Sequence, residues 1–293
     1  MTGASDLASG KGHHDENFPV ASVLIHPRHR PPILAYYRFA RAADDVSDHP
    51  TASADEKLDI LDGMRRSLVG ESDASAEAVA LRTTLAAYRL TPQHGLDLLE
   101  AFRRDVTVLR YPNWDALMDY CRYSAMPVGR YVLDVHGEDR AATWPASDAL
   151  CAALQVINHL QDWGKDFRNL NRVYLPQDML AAADVDVSVL GAAQSTPGLR
   201  RVITDLSRRT VDLLAAARPL AGLIRDRRLG LEVSVIQRLA EDLNARLSVC
   251  DPLCQRVHHR KAEALGLAAR AAMRFLLMRM GIGKTSLVPV RGS

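Results

Sequence analysis

Two pairs of aspartates, each with a spacing of four residues, carry the clearest chemical signal in this 293-residue chain. Asp44 and Asp48 form the first pair, and Asp162 and Asp166 form the second. Residues four apart lie on one face of an α-helix, so each pair can direct two carboxylates to one point. Two such helices facing each other would form a pocket suited to Mg²⁺ with a bound diphosphate. One acidic pair is common on solvated helix faces, but two pairs with apolar and arginine neighbours favour a site.

Basic and amide side chains accompany both pairs. Arg41 precedes Asp44 by three residues, and an arginine there can neutralise carboxylates or hold phosphate oxygens with two N–H groups. A plain surface ion pair would explain the same spacing. On the second helix Asn158 lies one turn before Asp162, and Gln155 continues that row. This row is a plausible ligand set for Mg²⁺ or a diphosphate.

A short turn follows the second pair. It contains Arg168, Arg172 and Tyr174, all within twelve residues of Asp162. Such groups could close over a diphosphate that the carboxylates hold through a metal ion. A surface loop with incidental arginines is nearly as good an interpretation of these residues.

Pro127 interrupts a strongly helical stretch that begins at Trp114 and ends at His136. A proline inside a helix predicts a kink with freed backbone carbonyls. A kink that lines a pocket could stabilise a carbocation through those carbonyls and nearby aromatic faces. A purely structural kink is the alternative, and the residues alone favour neither.

The elements that must position these side chains are helical. Apolar residues recur with a helical period almost everywhere, and neither strand–helix alternation nor an internal repeat is found. We therefore expect one all-α domain of roughly a dozen helices at residues 16–280, between flexible tails at 1–15 and 281–293. The predicted helices are Pro32–Ser47, Ala54–Val69, Ala74–Tyr88, Pro92–Arg104, Trp114–His136, Ser147–Phe167, Gly198–Ala217, Leu229–Arg246 and Arg260–Met280.

Composition narrows the function classes. The chain is 47% hydrophobic with a net charge of +2, so it has no excess of positive charge for nucleic acid. Its four cysteines do not follow a zinc-ligand spacing, and no glycine-rich nicotinamide motif is found. The N-terminus resembles no signal peptide and no apolar run is long enough to span a membrane, which predicts a soluble cytoplasmic protein. Arg260–Met280 could touch a membrane surface transiently, although a core helix explains the same pattern better.

Taken together, these motifs resemble the squalene/phytoene synthase family. The resemblance rests on Arg-Ala-Ala-Asp-x-x-x-Asp from Arg41, Gln-x-x-Asn-x-x-x-Asp-x-x-x-Asp from Gln155, and Arg-Val-Tyr-Leu-Pro from Arg172. It extends in the family's order over roughly residues 16–178. Segments 16–22, 124–129 and 158–163 resemble the hydroxysqualene synthase branch of bacterial hopanoid biosynthesis. Condensing members usually read Val-Ala-Gly-x-Val-Gly where this chain has Ser-Ala-Met-Pro-Val-Gly, and Lys165 replaces the third acidic residue usual in squalene synthases.

The resemblance implies an isoprenoid-synthase helical bundle with a central cavity. It implies that presqualene diphosphate ionises with the help of Mg²⁺, rearranges as a cation and captures water to give hydroxysqualene, without NADPH. The implied metal ligands are Asp44, Asp48, Asp162 and Asp166, assisted by Asn158. The implied catalytic residues are the four aspartates with Arg41 and Tyr120. The implied substrate-binding residues are Phe18, Tyr37, Arg41, Tyr123, Gln155, Asn158, Arg168, Arg172 and Tyr174.

Two other functions remain open at this point. One is condensation of two prenyl diphosphates on the same fold, as in presqualene diphosphate, squalene or phytoene synthases, which the departure at Met126 and Pro127 argues against. The other is a helical assembly factor without catalysis, which the intact aspartate motifs disfavour. The sequence does not specify the oligomeric state, the number of metal ions or the residue that positions the attacking water.

Overall fold

The computed structural model describes residues 25–280, and the regular structure in that range is helical. Two short 3-10 helices, Pro27–His29 and Val187–Gly191, accompany twelve α-helices. Phe18 and both predicted tails lie outside the described residues. The α-helices are α1 (Arg30–Ser47), α2 (Ala54–Val69), α3 (Ala76–Tyr88), α4 (Gln93–Thr107), α5 (Trp114–Ser124), α6 (Met126–Val135), α7 (Arg140–Leu170), α8 (Gln177–Ala182), α9 (Pro197–Ala217), α10 (Leu220–Leu223), α11 (Arg227–Val249) and α12 (Lys261–Arg279).

Helix α7 is the longest element and carries the second aspartate pair. Its 31 residues correspond to a length of about 46 Å. The Asp139 side chain caps the N-terminus by accepting hydrogen bonds from the backbone N–H groups of Ala141 and Ala142. The predicted start at Ser147 is therefore wrong, because Pro145 is accommodated inside the helix rather than beginning it.

The stretch around Pro127 forms two helices rather than one kinked helix. Helix α5 ends at Ser124, Ala125 has non-helical backbone angles, and α6 begins at Met126. Pro127 thus occupies the first turn of α6, where its missing N–H removes no helical hydrogen bond. A Cβ at Gly129 would lie 2.5 Å from the Ser147 hydroxyl oxygen, so this glycine permits α6 to approach α7 closely.

Two apolar clusters hold the aspartate-bearing helices in place. One surrounds α7, α9 and α11, and the other joins α1 to α2, α3, α4 and α6. In the second cluster the Tyr36 and Tyr131 rings stack with centroids 4.0 Å apart. The Tyr36 hydroxyl donates to the His94 carbonyl, and the Tyr131 hydroxyl donates to the Pro32 carbonyl. These contacts fix the first half of α1, so its second half enters the centre of the molecule with a defined orientation.

Helix α12 is only partly a core helix. Leu267, Ala271 and Phe275 are buried on one side, and α12 packs mainly against α11. The opposite side is exposed although it is apolar, so the core-helix expectation holds for one face of α12. No helix among residues 25–280 is both long and apolar enough to cross a membrane.

Candidate active site

Three of the four paired aspartates line one cavity of about 270 Å³, which we call the acidic pocket, whereas Asp162 is not among its lining residues. Asp44 and Asp48 line it from α1, and Asp166 lines it from α7. The expectation that two acidic helices face one pocket therefore agrees with the geometry of the described residues. The remaining lining residues are Ala101, Phe102, Asp105, Tyr120, Ser124, Gln155, His159, Leu170, Arg172 and Tyr174.

The carboxylates of the acidic pocket repel one another. Burial and the neighbouring charge of Asp48 raise the pKa of Asp44 to about 7. Burial and the charge of Asp162 raise the pKa of Asp166 to about 7 as well. Asp48 also raises the pKa of Asp166, so the pairs on the two helices interact across the pocket. A bound cation would relieve this repulsion.

The residues of the acidic pocket fit Mg²⁺. Oxygen ligands suit this ion, which binds proteins through one or two carboxylates and commonly through substrate phosphates too. Residues 25–280 hold one group of three His or Asp side chains within reach of a single ion, namely His29, His136 and Asp226. That group lies outside the acidic pocket, and the Arg28 guanidinium already donates to the His29 ring nitrogen. The acidic pocket instead offers the carboxylates of Asp44, Asp48, Asp105 and Asp166 along one cavity, and oxygen ligands of this kind suit Mg²⁺.

Arg41 and Arg172 neutralise different carboxylates of the first pair. Arg41 contacts Asp44 at 3.0 Å and Asp45 at 2.7 Å. Asp45 is only 8% exposed, so it orients Arg41 instead of facing solvent. The partner of Asp48 is Arg172, whose Nη1 lies 2.9 Å from the carboxylate. Arg172 follows α7 and therefore joins the two acidic helices.

Asp105 is a buried carboxylate that the sequence interpretation missed. It accepts hydrogen bonds from the Tyr120 and Tyr174 hydroxyls, each at 2.9 Å. Burial raises the pKa of Asp105 to about 6, although nearby Arg172 opposes the shift. The position of Asp105 in the sequence is the signal that could have revealed it. Asp105 follows the buried residues His94, Leu98 and Ala101 of α4 at helical spacing. An acidic residue on that apolar face indicates a specific partner.

His159 and Tyr174 form an aromatic wall of the acidic pocket. Their rings stack with centroids 3.6 Å apart. Burial lowers the pKa of His159 to about 3, so the imidazole is neutral at physiological pH. The Gln155 amide nitrogen lies 3.2 Å from its Nε2 atom. His159 is thus a well-packed neutral residue.

An apolar cavity of about 440 Å³ adjoins the acidic pocket. Both share Ser124 and Gln155, so these residues mark the junction. Along α1, Ile33, Tyr36, Tyr37 and Ala40 line the apolar cavity and the later aspartates line the acidic pocket. Helix α7 repeats this order, with Ser147, Leu150, Cys151 and Leu154 before the carboxylates.

The other predicted site residues are distributed unevenly. Tyr37 and Asn158 line the apolar cavity, so Asn158 lies outside the lining of the acidic pocket. Tyr123 lines neither cavity and packs beneath the Arg104 guanidinium, 4.2 Å from its ring centroid. Arg168 is exposed at the C-terminal end of α7. Asp162 is partly buried one turn before Asp166.

Comparison with known proteins decides the family. The squalene/phytoene synthase family model matches residues 11–268, which is most of the chain. The chain belongs to the squalene/phytoene synthase family. Its membership confirms the resemblance found in the motifs, and it identifies the protein as an enzyme of this family.

Individual relatives agree with this assignment. A hydroxysqualene synthase from Zymomonas mobilis is 58% identical over 92% of this chain and 91% of its own length. One from Rhodopseudomonas palustris is 55% identical over 97% of both chains. The crystal structure of squalene synthase HpnC from Alicyclobacillus acidocaldarius superposes with a TM-score of 0.70 at 34% identity, covering 83% of this chain and 91% of that one. The squalene/phytoene synthase family therefore supplies the fold, and the predicted all-α isoprenoid-synthase bundle is confirmed.

Proposed function

We propose that this enzyme converts presqualene diphosphate to hydroxysqualene in a Mg²⁺-dependent reaction. The observation that supports this most directly is the junction of an acidic pocket with an apolar cavity. A molecule with a diphosphate head and a long hydrocarbon body matches both spaces at once. The curated relatives at 55–58% identity carry the name of this activity, and they are matched along nearly their whole length.

The aspartates would hold the metal ion, and the arginines would hold the leaving group. Asp44, Asp48, Asp162 and Asp166 would bind Mg²⁺, which supplies charge stabilisation for the departing diphosphate. Arg41 and Arg172 lie against these carboxylates and orient phosphate oxygens with paired N–H groups. Asp105 fixes the Tyr120 and Tyr174 hydroxyls, so that their rings present a stable aromatic surface to the cation.

The apolar cavity keeps bulk water away from the cation. Its Tyr36 and Tyr131 hydroxyls donate to backbone carbonyls, so they do not hold water there. A dry surrounding lets the cation rearrange before one water molecule reaches it. Capture by water consumes no reductant, so we propose a reaction without NADPH. We place the enzyme in the cytoplasm, at the inner face of the membrane from which so apolar a substrate must come.

Purified enzyme incubated with Mg²⁺ and presqualene diphosphate, without NADPH, tests the proposal directly. Mass spectrometry should find hydroxysqualene, and its oxygen should come from ¹⁸O-labelled water. Chelation of Mg²⁺ should stop the reaction, and re-addition should restore it. The matched control is enzyme with farnesyl diphosphate alone, which should remain unconsumed. Consumption of farnesyl diphosphate without turnover of presqualene diphosphate would instead assign a condensing activity.

A further inference from the structure

Ser124 occupies the point where the two cavities join. It is the last residue of α5, one turn after Tyr120, and it lines both the acidic pocket and the apolar cavity. Gln155 of α7 is the other residue that lines both. A molecule bound between these two side chains would lie next to the diphosphate and to the first carbons of the hydrocarbon.

The Ser124 hydroxyl is buried and has no hydrogen-bond partner among the described residues. The hydroxyls of Tyr36, Tyr131, Tyr120 and Tyr174, which line the same cavities, all have protein partners. A buried hydroxyl without a partner is unfavourable, and such groups are usually satisfied by ordered water. A buried water needs two or more polar partners, and Gln155, whose amide nitrogen also contacts His159, lines the same junction.

We propose that Ser124, with Gln155, positions the water molecule that captures the cation. This inference rests on the proposed function and adds the residue responsible for the hydroxyl group of the product. Ser124 is a positioning residue, because it acts through the water and not on the substrate. Its location beside the acidic pocket also places the water close to the charge from which the cation has just separated.

The step balances without any additional reactant. The carbon–oxygen bond to diphosphate breaks with both electrons leaving on oxygen, and the cation rearranges. The water oxygen then donates an electron pair to form a new carbon–oxygen bond. One water proton passes to the released diphosphate in the neighbouring acidic pocket, so substrate and water give an alcohol and hydrogen diphosphate. The neutral His159, whose pKa is lowered by burial, is not required as a base.

Substitution of Ser124 separates water positioning from ionisation. We expect Ser124→Ala to release diphosphate within about threefold of the unaltered rate. The share of hydroxysqualene among its products should fall at least fivefold, and hydrocarbons formed by proton loss should replace it. Ser124→Thr keeps a hydroxyl and should restore much of the hydroxysqualene share. Ser207→Ala is the matched control, because the Ser207 hydroxyl is also buried without a partner but lines neither cavity.

The product ratio decides the inference. An unchanged hydroxysqualene share in Ser124→Ala would overturn it, as would an equal shift in Ser207→Ala. A loss of diphosphate release together with product would assign Ser124 to ionisation or to folding, which also contradicts the inference. Failure of the unaltered enzyme to consume presqualene diphosphate would contradict the proposed function instead, so the two failures are distinguishable.

A separate observation concerns the exposed side of α12. Leu265, Ala269, Met273, Leu276 and Met280 follow one another at intervals of three or four residues, and all are exposed. They form a continuous apolar stripe, about 22 Å long from end to end. The stripe concentrates large exposed apolar side chains on a single helix face, which is typical of an interaction surface.

Basic side chains flank the apolar stripe. Arg270 and Arg274 lie one turn apart beside it, both are exposed, and neither has an ion-pair partner among the described residues. Glu263, the one acidic residue of α12, already contacts Arg246 at 3.2 Å. An apolar stripe with a cationic border along one side matches the interface of a bilayer that contains anionic lipids.

We propose that this face of α12 docks the enzyme on an anionic membrane surface. Apolar side chains would enter the boundary of the acyl chains, and Arg270 and Arg274 would contact lipid phosphates. The proposal gives a location to the membrane contact that the apolar substrate requires. It rests on exposure and charge alone, so it stands independently of the reaction at the acidic pocket.

Vesicle binding in the absence of substrate tests the docking surface. The full chain should sediment with phosphatidylcholine vesicles containing phosphatidylglycerol, and binding should weaken as salt increases. Met273→Glu combined with Leu276→Glu should weaken binding at least tenfold. Val211→Glu on α9 is the matched control, because Val211 is 51% exposed and Leu276 is 54% exposed. Arg270→Glu should weaken binding to anionic vesicles about fivefold.

The alternative occupant of this face is a second copy of the chain. Analytical ultracentrifugation without vesicles should therefore give the same oligomeric state for the unaltered chain and the double variant. A dimer that the double variant abolishes would overturn membrane docking. Equal vesicle binding by all variants, or binding by none, would overturn it as well.

Discussion

The acidic pocket and the apolar cavity differ in how their polar atoms are used. In the acidic pocket, burial and the charge of Asp48 raise the pKa of Asp44 to about 7, and burial and the charge of Asp162 raise the pKa of Asp166 to about 7. In the apolar cavity, the polar atoms of Tyr36 and Tyr131 are bonded to the backbone. Like charges therefore stay close together in the acidic pocket, whereas these two hydroxyls of the apolar cavity are satisfied within the chain. Helices α1 and α7 therefore supply both the charged residues of the acidic pocket and apolar residues of the adjoining cavity.

The largest expected effect comes from removing a carboxylate of either aspartate pair. Asp162→Asn or Asp44→Asn should lower kcat by about 10³-fold or more, because the metal loses a charged ligand at the departing diphosphate. Circular dichroism and thermal melting should show an intact fold. Asp59→Asn, on the exposed side of α2, is the control and should retain full activity. Full activity in either variant would show that the paired aspartates do not bind the metal ion.

Arginines on either side of the same turn should differ in effect. Arg172→Gln should reduce kcat/KM by about 10²-fold and lower the free energy of unfolding by about 3–5 kcal/mol, because Asp48 and the buried Asp105 lose their cation. Arg168→Gln should act more weakly, since Arg168 is exposed. Steady-state kinetics and urea unfolding of both variants measure this. Equal losses would place the diphosphate site at the turn itself rather than in the acidic pocket.

Metal affinity should depend on pH in a way that reflects the crowded carboxylates. With pKa values of about 7, Asp44 and Asp166 carry protons at pH 6 and are ionised at pH 8. Protons and Mg²⁺ compete, so the affinity for Mg²⁺ should fall as pH decreases, by roughly tenfold per pH unit for each displaced proton. Calorimetry with inorganic diphosphate at pH 6, 7 and 8 measures the trend. Asp166→Asn should flatten it, and a pH-independent affinity would contradict the assignment.

The smallest effect is expected at the floor of the apolar cavity. Gly129→Ala would bring a methyl group within 2.6 Å of the Cys151 sulfur and closer still to the Ser147 oxygen. We expect a loss of about 1–3 kcal/mol in the free energy of unfolding. Gly63→Ala in α2 meets no atom within 4 Å and should gain up to about 1 kcal/mol. Urea unfolding compares the two, and a stabilised Gly129→Ala would show that α6 can move away from α7.

Local signals in the sequence predicted several helices closely. The bounds of α2 agree with the prediction, because Ser53 and Glu56 form a capping box and Gly70 ends the helix in a left-handed conformation. The two acidic helices were predicted to face one pocket, and Asp44, Asp48 and Asp166 line it, because spacing fixes the orientation of these side chains on each helix. These features depend on residues close together in the chain.

Features that depend on residues far apart in the chain were harder to predict from the sequence. The contact of Arg172 with Asp48 joins positions 124 residues apart, and no local pattern indicates it. Asp105 acquires its role from Tyr120 and Tyr174, which reach it from two other segments. The start of α7 was missed because the predicted helix begins after Pro145, whereas the Asp139 cap begins the observed helix earlier. Side-chain pairing across the fold therefore decided what the local sequence left open.

The continuity of α7 has a consequence for how such enzymes can diverge. Helix α7 is continuous and carries both lining residues of the apolar cavity and the carboxylates. Inserting a residue between them would rotate every later side chain by about 100°. Gradual lengthening of the helix is therefore forbidden as a route to longer prenyl chains. The length of hydrocarbon that fits would instead change with the size of the residues that line the apolar cavity, such as Gly129 on α6 and Cys151 on α7. Helix α7 therefore fixes the distance between the carboxylates and the apolar cavity, and only the side chains that line the cavity can change the length of hydrocarbon that fits.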